Sequence, residues 1–166
     1  NGACELVVHA RTKVEGYRPP AYWELIPEIT AAVRVPVVAN GEIWTVQDAL
    51  RCREQSGCTD LMLGRGVLCR PDLPRLVAAA ARGETVESLH WPDITPLLLQ
   101  FFELNLANYD AHHAGNPLKQ WLVYLRSYFP QAAPLFEQVK RLRQPGDIRT
   151  VLQAALPDAQ RDRCAA

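Results

Sequence analysis

The apolar positions in the first half of the chain follow two spacings in turn. Short, mostly β-branched runs predict strands at residues 5–9, 35–40 and 60–64. Apolar residues at helical spacing predict helices at residues 22–33, 46–56 and 72–81, the second with Thr45 as its N-cap. Strand starts about 25 to 30 residues apart are typical of right-handed β/α units. This half therefore predicts a parallel sheet with helices between its strands.

The pattern becomes wholly helical after Gly83. Residues 84–92 predict a connector, and proline-separated helices are predicted at residues 94–109, 118–128, 132–142 and 147–156. We expect a small all-helical domain over residues 93–156 and a frayed polar tail over residues 157–166. Residues 1–83 then form the α/β part of the chain.

Two of the predicted strands end in glycine. Residues 35–42 read VPVVANGE, and residues 61–66 read LMLGRG. Backbone N–H groups at such corners, together with the cation of Arg65, suit a phosphate. Either corner alone is better explained as a tight turn that ends a buried strand. Two such corners on adjacent strands, both at the carboxyl ends, favour a ligand.

Three β/α units are too few to close a barrel. In a (β/α)8 barrel of about 250 residues, the phosphate site is commonly formed by the loops after the last two strands. The predicted fold class is therefore α/β, with the C-terminal three β/α units of a (β/α)8 TIM barrel followed by the small all-helical domain. The chain begins at Asn1 without a methionine, so we expect that an N-terminal part is absent.

The composition argues against several classes of protein. The 18 basic and 18 acidic residues cancel, so the overall charge gives no indication of nucleic acid. The five cysteines form no CxxC pair and have no zinc-type spacing with the histidines, which predicts a reduced, cytoplasmic protein without a metal site. The sequence contains no apolar stretch of about eighteen residues that would span a membrane.

Basic residues are nevertheless concentrated in residues 116–149, which carry six basic and two acidic side chains. Lys119 and Arg126 are seven positions apart and share one face of their predicted helix. Tyr124 lies between that face and the apolar face, which is marked by Leu118, Leu122, Leu125 and Phe129. Cations interleaved with aromatic rings suit RNA. The spacing alone supports a solvated helix with aromatic core residues almost equally.

Four segments together resemble the tRNA-dihydrouridine synthase family: HARTKVEGY (9–17), VPVVANGEI (35–43), GCTDLMLGRG (57–66) and LKQWLVYLR (118–126). The helical tail resembles the bacterial subfamily C branch, which acts on a D-loop uridine. The similarity extends from residue 5 to about residue 155. It implies a flavin mononucleotide (FMN) cofactor, NADPH as the reductant, and reduction of the uracil C5=C6 bond in tRNA, with uridine 16 as the expected target.

The resemblance also implies roles for individual residues. The positions that hold the phosphate and ribityl chain of the cofactor match Asn40, Gly41, Glu42, Gly64 and Arg65. His9 matches the family histidine that contacts the flavin. The positions that contact tRNA match Tyr17, Lys119, Tyr124 and Lys140.

Catalysis in the family also needs a cysteine that protonates uracil and a lysine near the flavin. Both belong to the part expected before Asn1, and no cysteine of this chain lies at an equivalent strand end. We therefore expect no catalytic residue in this chain and no activity from the chain alone. For the full-length protein we expect a cytoplasmic monomer with tRNA as its partner, without a membrane or a metal.

Two alternatives remain open from the sequence. The first is another FMN-dependent barrel oxidoreductase that acts on a small molecule, against which the LKQWLVYLR segment argues. The second is a truncated product that retains only RNA affinity or fails to fold, because three units of eight leave an open sheet edge and an uncovered interior.

Overall fold

The computed structural model describes residues 2–158 of the 166-residue chain. The described residues form two compact units that divide between Glu87 and Ser88. The first unit contains the strands, and the second is helical. Of the polar tail predicted at residues 157–166, residues 159–166 lie outside the described part.

The first unit is built on a parallel sheet whose described strands are β1 (Leu6–His9), β2 (Val37–Asn40) and β3 (Leu61–Met62), in that order across the sheet. The first three residues of β2 are buried, whereas exposure alternates along β1 and β3 at the two edges. The register pairs His9 with Asn40 and Asn40 with Met62. The carboxyl ends of the described strands therefore lie side by side.

Four helices accompany this sheet in the described residues: α1 (Ile26–Ala32), α2 (Val46–Ser56), α3 (Arg65–Cys69) and α4 (Leu73–Ala81). The bounds of α2 equal those predicted, and its N-cap is Thr45 as predicted: the Thr45 hydroxyl accepts the Asp48 N–H and the Asp48 carboxylate accepts the Thr45 N–H. The apolar sides of these elements enclose Ile26, Ala39, Ala49 and Leu73 in one core.

The strands predicted at residues 5–9 and 35–40 begin one and two residues later, at Leu6 and Val37. Two further predictions for this unit need correction, and one helix was not predicted. The helix predicted at residues 22–33 begins as a 3-10 turn, Trp23–Leu25, and becomes α-helical at Ile26, next to Pro27 in the first turn. The strand predicted at residues 60–64 pairs only over Leu61–Met62, because the chain leaves the sheet at Gly64. It then enters α3, a five-residue helix that the sequence pattern does not predict.

The second unit contains four helices in its described part: α5 (Trp91–Asn108), α6 (Gly115–Leu125), α7 (Ala132–Val139) and α8 (Pro145–Ala154). They enclose a core centred on Phe102, Leu118, Leu122 and Leu152. The buried face predicted for α6 is confirmed, since Leu118, Leu122, Leu125 and Phe129 are all 5% exposed or less.

The predicted helix bounds in this unit are shifted by two to three residues at several ends. The predicted starts at residues 94 and 118 are late, because Pro92 and Pro117 lie in the first turns of α5 and α6, where proline is tolerated. The Asp93 carboxylate also accepts the His90 N–H at 2.8 Å and fixes the start of α5. The predicted ends at residues 128 and 142 are three residues too far.

Among residues 2–158, no helix combines the length and apolarity needed to cross a bilayer. The same residues contain no group of three or more His, Cys, Asp or Glu side chains arranged to hold a metal ion.

Candidate functional site

The side chain of Asn40 joins the carboxyl ends of the three described strands. Its Nδ2 donates to the carbonyl oxygen of Met62 at 2.6 Å, and its Oδ1 lies 2.6 Å from Nδ1 of His9. Because Oδ1 can only accept, Nδ1 of His9 carries the proton of this hydrogen bond. Nε2 of His9 therefore remains available to a ligand.

Replacing Asn40 with alanine removes both hydrogen bonds across the strand ends. We expect the free energy of unfolding to fall by about 1 to 3 kcal/mol, at about 0.5 to 1.5 kcal/mol for each bond. Urea unfolding followed by circular dichroism measures this change. Asn108→Ala is the control, because its Nδ2 donates to the Leu104 carbonyl on an exposed part of α5; equal losses for the two variants would contradict the role assigned to Asn40.

The corner after β2 depends on Gly41. Its φ of 129° favours glycine, and a Cβ there would lie 3.4 Å from Cβ of Ala21 and 3.6 Å from the backbone nitrogen of Ala10. Its carbonyl oxygen accepts the indole N–H of Trp23 at 2.8 Å. Glu42 follows with a positive φ of 50°. The chain is thus held in a sharp reversal at Gly41 and Glu42.

The Glu42 carboxylate is the centre of a charge cluster. Its Oε1 accepts from Nη2 of Arg11 at 2.6 Å and from Nη2 of Arg65 at 2.9 Å, and its Oε2 accepts from Nε1 of Trp44 at 2.9 Å. Burial raises the pKa of Glu42, but the hydrogen bonds from Trp44 and Arg11 and the charges of Arg11 and Arg65 bring that pKa below its ordinary value. Two guanidinium groups and one carboxylate leave the cluster with one net positive charge.

The guanidinium group of Arg65 also contacts two aromatic rings. Its central carbon lies 4.6 Å from the ring centroid of Tyr17 and 4.9 Å from that of Trp44. Such cation–π contacts restrain the side chain without using its N–H donors. The Arg65 side chain is one third exposed, whereas that of Arg11 is fully buried. Arg65 is therefore the cation of the cluster that a ligand can reach.

The corner after β3 packs closely against the corner after β2. A Cβ on Gly66 would lie 2.2 Å from the carbonyl oxygen of Ile43 and 3.2 Å from Cα of Trp44. Only glycine lets the first turn of α3 approach this loop so closely. The two corners are therefore in direct contact.

These corners surround a cavity of about 230 Å³. Seven predicted site residues line it: His9, Tyr17, Asn40, Gly41, Glu42, Gly64 and Arg65. The structure therefore brings together every residue predicted to contact the cofactor, and their role as ligands stays a prediction. The cavity lining also includes Arg11, Trp44 and Gly66, which the sequence reasoning missed.

Of the four residues predicted to contact RNA, Lys119, Tyr124 and Lys140 lie in the helical unit. The Lys119 amine donates to the Leu142 carbonyl at 2.7 Å, and the Lys140 amine pairs with the Glu137 carboxylate. Burial and the charge of Arg143 lower the pKa of Lys119. Both lysines thus have partners within the chain, and Tyr124 is half-buried.

Three other cations of this unit, Arg126, Arg141 and Arg143, are exposed and form no ion pair with any residue of the described part. Arg149, in contrast, is held by both carboxylate oxygens of Glu103, at 2.6 and 2.9 Å. Within the described part of this unit, the basic charge that a nucleic acid could reach is therefore carried mainly by these three arginines.

The described cysteines do not line the cavity between the corners. Cys52, Cys58 and Cys69 are buried and Cys4 is exposed, and none of these four is in a disulfide bond within the described residues. Burial raises the pKa of the Cys52 thiol to about 11, so it stays protonated at neutral pH. Cys164 lies outside the described residues.

Comparison with known proteins gives a consistent set of relatives. The family model for dihydrouridine synthase matches residues 1–160. A tRNA-dihydrouridine(16) synthase of Pseudomonas syringae pv. tomato is 51% identical over 140 residues, which are 84% of this chain and 44% of that protein. Proteins of the same name from Ralstonia nicotianae and Neisseria meningitidis serogroup A are 45% and 40% identical over 158 residues, and the chain covers 47% and 46% of their lengths. The chain spans less than half the length of these relatives.

Proposed function

Because the chain belongs to the dihydrouridine synthase family, we propose that it is part of an enzyme that reduces the C5=C6 bond of uridine 16 in the D-loop of tRNA. FMN is the proposed cofactor and NADPH the proposed reductant. The observation that carries the proposal is the positively charged cavity between the two glycine corners, with Arg65 exposed to it. The position of the uridine follows the names of the relatives, which are tRNA-dihydrouridine(16) synthases.

The cavity fits the phosphate end of FMN. At about 230 Å³ it is smaller than the roughly 300 to 1,000 Å³ of pockets that hold a whole ligand, so it suits one end of a longer molecule. We propose that Gly64 and Arg65 hold the phosphate, and that Asn40 and the corner at Gly41 contact the ribityl chain. His9 contacts the flavin through its free Nε2. The flavin supplies the hydride chemistry, and the protein supplies binding, orientation and charge.

The sheet is proposed to be part of a (β/α)8 barrel. Active sites of such barrels lie at the carboxyl ends of the strands, which is where the row of His9, Asn40 and Met62 and the cavity are found. The cysteine that protonates uracil is expected from the rest of the full-length protein. By the same family likeness, we place that protein in the cytoplasm as a monomer.

The helical unit is proposed to bind tRNA. Lys119 fastens the loop after α7 through the Leu142 carbonyl, and this loop carries Arg141 and Arg143. The loop cations then neutralise RNA phosphates. Tyr17 is 73% exposed beside the cavity, and its proposed role is to contact the uridine that leaves its stack to reach the flavin.

Replacing Arg143 with alanine is expected to weaken tRNA binding and to reduce the salt slope of the affinity by about 1, because one phosphate contact is lost. Filter binding at several salt concentrations with the full-length protein measures both quantities. Arg34→Ala removes an exposed arginine of the other unit and is the matched control.

Lys119→Ala is expected to weaken tRNA binding as well, since it frees the loop that carries Arg143, and to leave flavin content unchanged. A tRNA affinity that stays at the wild-type value in both variants, at every salt concentration, would contradict the proposed role of this surface.

The proposed reaction has a direct test. Full-length protein, FMN, NADPH and an unmodified tRNA transcript are incubated together, and dihydrouridine is located by mass spectrometry of nuclease fragments. We expect one reduced uridine, at position 16, and none in a transcript with cytidine there. Reduction of a small-molecule substrate with no product in tRNA would instead support the alternative of a different flavin oxidoreductase.

A further inference from the structure

Arg11 is a buried cation beside the cavity whose hydrogen bonds hold two separate segments. Its Nη1 donates to the Arg18 carbonyl at 2.8 Å, and its Nη2 donates to Oε1 of Glu42 at 2.6 Å. The side chain has no exposed surface, and its Nε has no acceptor among the described residues. Burying a guanidinium group this completely has a large desolvation free energy, which lowers the stability of the fold. This loss of stability indicates that the buried charge performs a function.

Glu42 connects Arg11 to the exposed cation of the cavity. The oxygen that accepts from Arg11 also accepts from Nη2 of Arg65 at 2.9 Å, and the other carboxylate oxygen accepts from the indole of Trp44 at 2.9 Å. Arg11 and Trp44 thus fix the two oxygens of the carboxylate, and the oxygen that Arg11 holds also accepts from the Arg65 guanidinium. The contacts of Arg65 with the rings of Tyr17 and Trp44 restrain its side chain further.

The charges explain why a buried arginine is needed here. A carboxylate next to Arg65 orients that guanidinium, but on its own it would cancel the positive charge and repel an anion. The positive charge of Arg11 offsets the negative charge of Glu42, so the positive charge of Arg65 still attracts an anion into the cavity. Arg11 therefore allows the same carboxylate to orient the cation without neutralising the site.

We propose that Arg11 is a positioning residue for anion recognition, which acts through Glu42 to hold the Arg65 guanidinium toward a phosphate group. The inference rests on the proposed function, in which this phosphate belongs to FMN. The competing interpretation is that Arg11 merely ties the loop of residues 10–18 to the corner after β2. If Arg11 is only a structural tie, its loss lowers the affinity for every ligand of the cavity alike. If Arg11 positions Arg65, its loss lowers the affinity only for ligands that carry the phosphate.

The test compares FMN with riboflavin, which lacks the phosphate. Apo-protein of full length is titrated with each compound, and binding is followed by the quenching of flavin fluorescence. For Arg11→Gln we expect the Kd of FMN to rise about tenfold or more and the Kd of riboflavin to change less than about twofold. Arg51→Gln, which removes an exposed arginine paired with Asp48, is the matched control and is expected to change neither Kd.

A double-mutant cycle distinguishes an effect of Arg11 on FMN binding that depends on Glu42 from a direct effect of Arg11 on the phosphate. In a Glu42→Gln background, Arg11→Gln is expected to change the Kd of FMN by less than about twofold, because no carboxylate remains to be neutralised. Arg11→Lys keeps the charge but loses the forked geometry, so we expect a smaller rise in the Kd of FMN, about threefold, again without an effect on riboflavin. This variant carries the test if Arg11→Gln does not fold.

Equal weakening of FMN and riboflavin, or an undiminished effect of Arg11→Gln in the Glu42→Gln background, would overturn the positioning role and leave Arg11 as a structural tie. An unchanged FMN affinity in the Arg11 variants would overturn it as well. Each of these results concerns the variants, while the wild-type protein still binds FMN. None of them would therefore overturn the proposed function. Failure of wild-type protein to bind FMN would overturn the proposed function itself and this inference with it.

Discussion

Replacement of Gly66 by alanine is expected to lower the free energy of unfolding by about 3 kcal/mol, at the upper end of the cost of overpacking. The added Cβ would lie 2.2 Å from the Ile43 carbonyl oxygen, closer than any real contact allows. Since the obstructing atoms belong to the backbone, the two corners must move apart. We therefore also expect the flavin content of the purified full-length protein to fall at least about tenfold.

Gly146→Ala is the control for this prediction. No atom lies within 4 Å of the added Cβ, and the residue is in the first turn of α8, where alanine is the better helix former. Its free energy of unfolding is expected to equal or slightly exceed the wild-type value in a denaturant titration. If Gly66→Ala were as stable as wild type and retained its flavin, the close approach of the corners would have no role.

Arg65→Ala is expected to raise the Kd of FMN by about 100-fold, since charge-assisted hydrogen bonds contribute about 1.5 to 3 kcal/mol each. The Kd of riboflavin is expected to change little, because the lost contacts are those to the phosphate. Arg65→Lys should lie between wild type and Arg65→Ala, because lysine keeps the charge without the planar fork. Fluorescence titration of the full-length apo-protein measures these constants.

Arg82→Ala provides the comparison for Arg65→Ala. Arg82 is an exposed arginine that pairs with Glu84 on the surface of the same unit, and it does not line the cavity. Its replacement is expected to leave both Kd values unchanged. A full-length protein that kept its FMN affinity after the loss of Arg65 would show that the phosphate is held elsewhere.

The family was predictable from sequence because four separated motifs carried the resemblance, and the family match confirms it. The regular elements were also largely predictable, since hydrophobic periodicity and capping are local signals. The N-cap at Thr45 is such a case, because its partner Asp48 is three positions away. Helix α3 was missed because five residues are too few to show a helical period.

Some of the residues that line the cavity were likewise predictable from the sequence, and others were not. Strand ends followed by glycine are visible in the sequence, so Asn40, Gly41 and Gly64 could be predicted. Arg11 was missed because its partner Glu42 is 31 positions away, and nothing local indicates that pair. Arg65 and Glu42 are 23 positions apart, so the sequence predicted Arg65 as a ligand of the phosphate but did not indicate that its Nη2 also donates to the Glu42 carboxylate.

The corners after β2 and β3 are proposed to hold the phosphate of a flavin. The most direct measurement is a crystal structure of the full-length protein grown with FMN. Phosphate oxygens are expected within about 3 Å of the Arg65 guanidinium and next to the backbone of Gly64. A flavin whose phosphate lies outside this cavity, or a cavity filled by side chains from the rest of the protein, would contradict it.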